Sequence, residues 1–259
     1  MATSVAATAP KIRVVGLTKS FGDRRVLEGI DLDIMSGESL VVVGGSGAGK
    51  TVFLKHLIGL LEPDSGHVVV DGVDLSQASP AQALELRKRF GMSFQEGALF
   101  DSMTVFDNIA FPIRRHTSRS PAEVAERVRE CLATVRLEGV ERKHPAELSG
   151  GMKRRVGFAR AIALEPEILL FDEPTTGLDP INTAAIAKVI NRLGAREGVT
   201  SVTITHDMTL ALRIADRVAM LRAGRIIALD SAQRFAATAD PYVRAFLEGE
   251  VPVDEEEAL

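Results

Sequence analysis

Residues 12–17, rich in β-branched and apolar side chains, and 28–34, where apolar and polar positions alternate, are short β-like runs separated by the turn at 22–25 that opens on Gly22. The two runs predict an antiparallel β flap. Residues 39–43 are instead a nearly continuous apolar run that feeds a glycine-rich loop and then a helix from about 50 to 61, the order of a parallel α/β core. Further strand runs at 67–70, 91–94, 168–171 and 201–205 alternate with helical stretches, so the fold class is α/β and doubly wound. Between about 95 and 165 the pattern turns mostly helical. Ser120-Pro121-Ala122-Glu123 opens one of those helices as a capping box with proline at its first position. This stretch, about 96–165, is expected to be a helical subdomain inserted in the core. Two strands at 218–221 and 225–228 around Gly224, then a helix or two ending near 247, complete one domain over 12–247. A small-residue leader at 1–11 is expected to be disordered, and an acid-rich tail at 248–259 to be solvated.

Composition narrows the function classes. The 259 residues carry a formal net charge of -4, no Trp and one Tyr, which argues against a nucleic-acid partner, for which a basic face and aromatic platforms are the rule. The single cysteine, Cys131, falls on an apolar stripe with Val124, Val128, Leu132 and Val135 and reads as core packing. No run approaches the ~18–20 apolar residues that span a bilayer, and the first ten residues lack a basic segment and a long apolar one. A cytosolic chain is the expectation.

Gly44-Gly45-Ser46-Gly47-Ala48-Gly49-Lys50-Thr51 fits the P-loop pattern, in which glycines let backbone N–H groups close around phosphates at a helix N-terminus. Lys50 is expected to reach the β and γ phosphates of ATP, and Thr51 to hold Mg²⁺. Strand 168–171 ends in Asp172 and Glu173, and strand 201–205 ends at His206. Open α/β sheets place ligands at the carboxyl ends of their strands, so the P-loop, two acids and a histidine are delivered to one edge. In that arrangement Asp172 anchors Mg²⁺ through water, Glu173 is the general base or orients the attacking water, and His206 contacts the γ-phosphate. Leu148-Ser149-Gly150-Gly151 precedes a helical run starting at Met152, whose first turn is crowded by Lys153, Arg154 and Arg155. The helix macrodipole disfavours cations there unless an anion is near, so this segment is a second phosphate-binding candidate.

With these elements in this order the chain, from about residue 12 to 247, resembles the ATP-binding cassette family, whose core is a P-loop, RecA-like parallel sheet with an antiparallel β subdomain and an inserted helical signature subdomain. The resemblance implies that Phe21 stacks on adenine, that Gln95 links Mg²⁺ and the attacking water to a membrane partner, and that Asp179 in Thr176-Gly177-Leu178-Asp179 is a dimer contact. It implies a homodimer, in which the P-loop of one subunit faces Ser149, Gly150 and Gly151 of the other across ATP. Two departures stand out. Met152 occupies the position where the family usually has glutamine, and Val52 the position where a second hydroxyl commonly follows the P-loop. Backbone amides remain at both places.

The stretches 94–109 and 149–155 are similar to the ATPase subunits of bacterial lipid transporters built around MCE proteins. That likeness implies phospholipid transport, a membrane permease, a periplasmic MCE lipid-binding protein, in some systems a small STAS-domain subunit, and a peripheral position on the cytoplasmic face of the inner membrane. The alternatives are an importer of another small cargo and a non-transport cassette ATPase acting on DNA. Leu99 and Phe100, just after Gln95, are expected to be partly exposed and to dock the permease, while Phe106 and Phe111 are expected to fill the core beneath the helical subdomain.

Overall fold

The computed structural model describes residues 9–95, 97–195 and 198–250. The elements run β1 (Ile12–Phe21), β2 (Arg24–Ile34), β3 (Ser39–Val43), α1 (Lys50–Leu57), β4 (Ser65–Val70), β5 (Val73–Asp74), α2 (Pro80–Lys88), β6 (Phe90–Ser93), α3 (Val105–His116) and α4 (Pro121–Thr134). They continue with α5 (Gly150–Ala161), β7 (Ile168–Asp172), α6 (Pro180–Gly194), β8 (Thr200–Thr205), α7 (Met208–Ile214), β9 (Arg217–Arg222), β10 (Arg225–Ser231), α8 (Ala232–Ala236) and α9 (Pro241–Glu248). No helix among the described residues is long and apolar enough to cross a membrane.

Two sheets carry the domain. The flap is antiparallel with order β2-β1-β4-β5, and the core sheet has order β10-β9-β3-β8-β7-β6. In the core sheet β6, β7, β8, β3 and β9 are parallel and β10 is antiparallel. The apolar run 39–43 is continuous because both of its faces are covered. Leu40 and Val42 pack with the flap strands, α1 and α2, whereas Val41 and Val43 pack with α3 through α7. The same alternation divides Leu170 from Leu169 and Phe171 in β7, and Ala219 from Val218 and Met220 in β9. Each covered strand therefore belongs to two hydrophobic cores at once.

Most predicted boundaries are recovered, with differences that have physical causes. The flap strands are longer than the runs that predict them, because β1 and β2 close into a hairpin in which Phe21 pairs Arg24 across Gly22 and Asp23. Helix α1 ends at Leu57 instead of continuing to 61. Ile58 takes a non-helical conformation and Gly59 is left-handed, φ 66°, so the chain turns back toward β4. Helix α5 begins at Gly150, two residues earlier than expected, because the Ser149 hydroxyl caps it by accepting from the Met152 amide. Ser120 and Glu123 form the predicted capping box, and Cys131 is buried among Val124, Val128, Leu132 and Val135. Most of the leader and of the acidic tail lies outside the described residues.

An ion cluster ties the flap to the core sheet. Lys11, just before β1, contacts Asp71 at 3.0 Å and Glu167 at 2.5 Å, and Arg89 contacts the same two carboxylates at 2.7 and 2.6 Å. The Arg89 guanidinium, and then Lys11, hold the Glu167 carboxyl down at about 2, against 4.5 when free. Because the folded-state pKa is depressed, the contribution of Glu167 is complete above about pH 4.5 and is lost as the pH falls toward 2. Glu167→Gln is expected to cost on the order of 1 kcal/mol at pH 7, a modest value because the side chain is about half exposed and screened. Urea midpoints of parent and variant should draw together as the pH falls from 4.5 toward 2; a gap that stays constant across that range would remove the cluster from the acid response.

Candidate functional site

The loop between β3 and α1 is shaped by glycines that side chains would block. A Cβ on Gly44 would lie 2.2 Å from the Leu221 carbonyl oxygen, and one on Gly49, whose φ is 101°, would lie 2.8 Å from the Val26 carbonyl oxygen. The loop is thus clamped between β9 and β2. No side chain caps α1, so its first amides face the cleft. The Lys50 ammonium is buried and folds back over the loop, donating to the carbonyls of Gly44 at 2.7 Å and Gly45 at 3.0 Å.

Parallel pairing brings the other groups to the same edge. Asp172, the last residue of β7, accepts from the Thr51 hydroxyl at 3.1 Å. Burial raises the Asp172 pKa, Thr51 opposes that rise, and the neighbouring Glu173 charge adds to it. Glu173 sits in the left-handed region with φ 46°, an uncommon backbone for a non-glycine residue, held by its amide donating to the Ile204 carbonyl at 2.9 Å. Its carboxylate lies 3.3 Å from the Lys50 ammonium, 2.9 Å from His206 Nδ1 and 3.3 Å from the Thr176 hydroxyl. Lys50, Thr51, Gln95, Glu173 and His206 line one cleft of about 630 Å³, with Ser46, Gly47, Ala48, Gly49 and Val52. Thr51 and Asp172 offer hard oxygen donors of the kind Mg²⁺ takes when phosphate and water complete its shell.

Other candidates lie apart from this cleft. Phe21 is half exposed at the hairpin tip, its ring 5.7 Å from the Lys19 ammonium, and is free to stack. Ser149 and Gly150 are exposed, and Gly150 faces a second cleft shared with Gln95, Lys153 and Leu178. Two of the three cations in the first turn of α5 are engaged by backbone carbonyls, while Lys153 lines the second cleft beside Gly150. Arg154 donates to the carbonyls of Gln95 and Thr176, and Arg155 to that of Arg136, so these cations buttress the subdomain. Asp179 is the N-cap of α6, its carboxylate accepting from the amides of Asn182 and Ile181. Those contacts, Asn182 first, lower its pKa.

Phe100 is 44% exposed, and Leu99 is partly buried, packing against the core while it lines the second cleft. Phe106 does pack against the core. Phe111 does not fill it: the ring is 44% exposed and meets Phe100 at 5.3 Å, because α3 turns Ile109, Ala110 and Ile113 inward instead. Sequence reasoning also missed Arg24, Val26 and Thr176, which line the P-loop cleft. Their only signal was position, two beside the hairpin turn and one beside the acidic pair.

Residues 27–176 match the family model described as ABC transporter. The chain is 44% identical over 238 residues to the probable ribonucleotide transport ATP-binding protein Mkl of Mycobacterium leprae, covering 92% of this chain and 69% of that one. It is 42% identical to the intermembrane phospholipid transport system ATP-binding protein MlaF of Escherichia coli, covering 92% and 88%. Among solved structures, an ATP-binding cassette determined as a dimer in a post-hydrolysis state with ADP and phosphate superposes with a TM-score of 0.79 at 29% identity, covering 85% of this chain and 98% of that one. CbiO1 from Clostridium perfringens, part of an ABC transporter complex, gives 0.81 at 28% identity, covering 92% and 95%.

The clamped loop generates a paired test. Gly44→Ala forces a methyl against a backbone carbonyl and is expected to destabilise the domain by about 1–3 kcal/mol in urea titration. Gly45→Ala, where nothing lies within 4 Å, should change it by less than ~0.5 kcal/mol. Equal losses would contradict the clamp.

Proposed function

Because this chain belongs to the ABC transporter family, as an ATP-binding ATPase subunit, we propose that it energises lipid transport through a separate membrane permease by hydrolysing ATP in a two-subunit composite site. The observation that carries the chemistry is the Glu173 carboxylate, set between Lys50, His206 and Thr176 at the mouth of the P-loop cleft.

In this reading the loop amides and Lys50 bind the β and γ phosphates, trading the lysine's contacts to Gly44 and Gly45 for phosphate oxygens. Thr51 and Asp172 hold Mg²⁺, which when bound neutralises charge on the phosphate oxygens. Glu173 accepts the proton of the attacking water, His206 orients that carboxylate and meets the γ-phosphate, and Gln95 positions the water. Phe21 stacks on the adenine. Ser149 and the amides of Gly150, Gly151 and Met152 close over ATP bound to the other subunit, with Asp179 at the shared boundary. The absence of Ser149 from the cleft that Lys50 lines within one chain is consistent with that pairing.

The cargo assignment rests on the likeness to MlaF, which spans most of both chains, together with the stretches 94–109 and 149–155. On this reading its partners are a permease and an MCE protein, with a small STAS-domain subunit in some such systems, and its place is the cytoplasmic face of the inner membrane. The name of Mkl favours ribonucleotides instead. Purification of the tagged chain from native membranes, with lipid analysis of the complex, separates the two: a complex carrying no MCE protein and no phospholipid overturns the lipid reading.

Two further outcomes are expected. Glu173→Gln should retain ATP in the assembled complex yet turn over ~10²–10⁴-fold more slowly, as loss of a general base usually does; hydrolysis near the parent rate would remove Glu173 from the role of base. The exposed ring pair Phe100 and Phe111 suits a short apolar helix of the permease. Phe100→Asp with Phe111→Asp should give a folded chain that binds ATP but does not co-purify with the permease, and undiminished co-purification would exclude this surface.

A further inference from the structure

The hairpin that carries Phe21 also carries a cation, Arg24, with no hydrogen-bond or ion-pair partner among the described residues. Arg24 is the first residue of β2, is exposed, and lines the P-loop cleft. The register with β1 shifts between Arg25 and Leu27, so the facing of side chains 24 and 26 is read from their contacts with the loop rather than from alternation. The loop reports those contacts: a Cβ on Gly49 would lie 3.2 Å from a Val26 methyl, and one on Gly47 would lie 3.5 Å from the Arg24 guanidinium. Side chains 24 and 26 thus run alongside residues 47–49.

The two adjacent arginines have different employment. Arg25 contacts Glu28 at 3.2 Å, and Glu28 is shared with Arg225. Arg24 makes no hydrogen bond or ion pair among the described residues, although the cleft also contains Lys50, which is committed to Glu173 and to two loop carbonyls. A guanidinium beside Gly47 in this cleft, with no carboxylate partner among the described residues, is poised for an anion bound to the loop. On the helix side the loop has few side-chain donors: the Thr51 hydroxyl is engaged by Asp172, and Val52 has none.

We propose that Arg24 is a nucleotide-binding residue that clamps the polyphosphate of ATP from the hairpin side, opposite Lys50. The proposal rests on the reading of this cleft as the ATP site. It makes the β1–β2 hairpin a two-point grip, in which Phe21 takes the base and Arg24 the phosphates.

Calorimetric titration of the full chain with unlabelled ATP and ADP in Mg²⁺ tests it, beside steady-state kinetics of the assembled complex. Arg24→Ala is expected to weaken binding of both nucleotides about tenfold, the scale of one charge-assisted hydrogen bond at a wet site, and to raise KM with little change in kcat. Arg24→Lys should recover part of the loss, and the melting temperature without nucleotide should move little, since no hydrogen bond or ion pair among the described residues is removed. Lys50→Ala serves as the reference. If it loses ATP while Arg24→Ala binds within twofold of the parent, the clamp is wrong and the site reading stands. If neither variant loses affinity, the site reading itself fails. A lowered melting temperature for Arg24→Ala, with no recovery by lysine, would assign Arg24 a structural role and overturn the proposal.

Discussion

The parallel register of β3, β8 and β7 is the constraint on which the site depends. Val43 pairs with Thr205 and Asp172 with Ile204, so three strands end within about one residue of each other. Any one-residue slip would exchange the faces of the strand concerned, carrying Val41 and Val43, or Leu169 and Phe171, into the wrong core. Two dry cores, one on each side of the sheet, therefore lock the positions of Lys50, Asp172, Glu173 and His206 more firmly than any polar contact between those residues does.

Glu173 is where that rigidity is spent. Its left-handed backbone is held by the amide bond to Ile204, and its carboxylate is met from three directions by Lys50, His206 and Thr176. Asp172, one residue earlier, is buried against Thr51 and has its pKa raised, whereas Glu173 faces the cleft. Consecutive carboxylates thus receive different environments from the end of one strand, which is how a single sheet edge can supply both a cation ligand and a proton acceptor.

The subdomains are attached by polar contacts of a different kind. Arg154 joins the Gln95 carbonyl after β6 to that of Thr176 after β7, and Arg160 donates to the carbonyls of Gly97 and Ala98. Movement of the segment after β6 is therefore coupled to α5, the helix that Ser149 caps. On the other side the Lys11, Arg89, Asp71 and Glu167 cluster fastens the flap, and with it the hairpin bearing Phe21 and Arg24, to the core sheet.

The sequence by itself determined the α/β order, the P-loop and the acidic strand end, because burial on both faces of a parallel strand and glycine-dependent loop geometry both leave local patterns. Residues 39–43 and 168–172 were legible for that reason, as was the capping box at Ser120. The outcome for single side chains was decided only by the tertiary structure. In the basic turn 153–155 the chain gives three equivalent cations, but carbonyl partners from other segments engage Arg154 and Arg155 and leave Lys153 at a cleft. Phe111 looked like core, but the facing of α3 turned it outward against Phe100. Arg24 could not be told from Arg25 in the chain, since alternation assigns neighbouring residues to opposite faces without saying which face meets the loop. Only the packing of β2 against Gly47 and Gly49 made that choice. Long-range contacts carry no period along the sequence, and for that reason the scaffold of the site could be read from it while the partners of its charged groups could not.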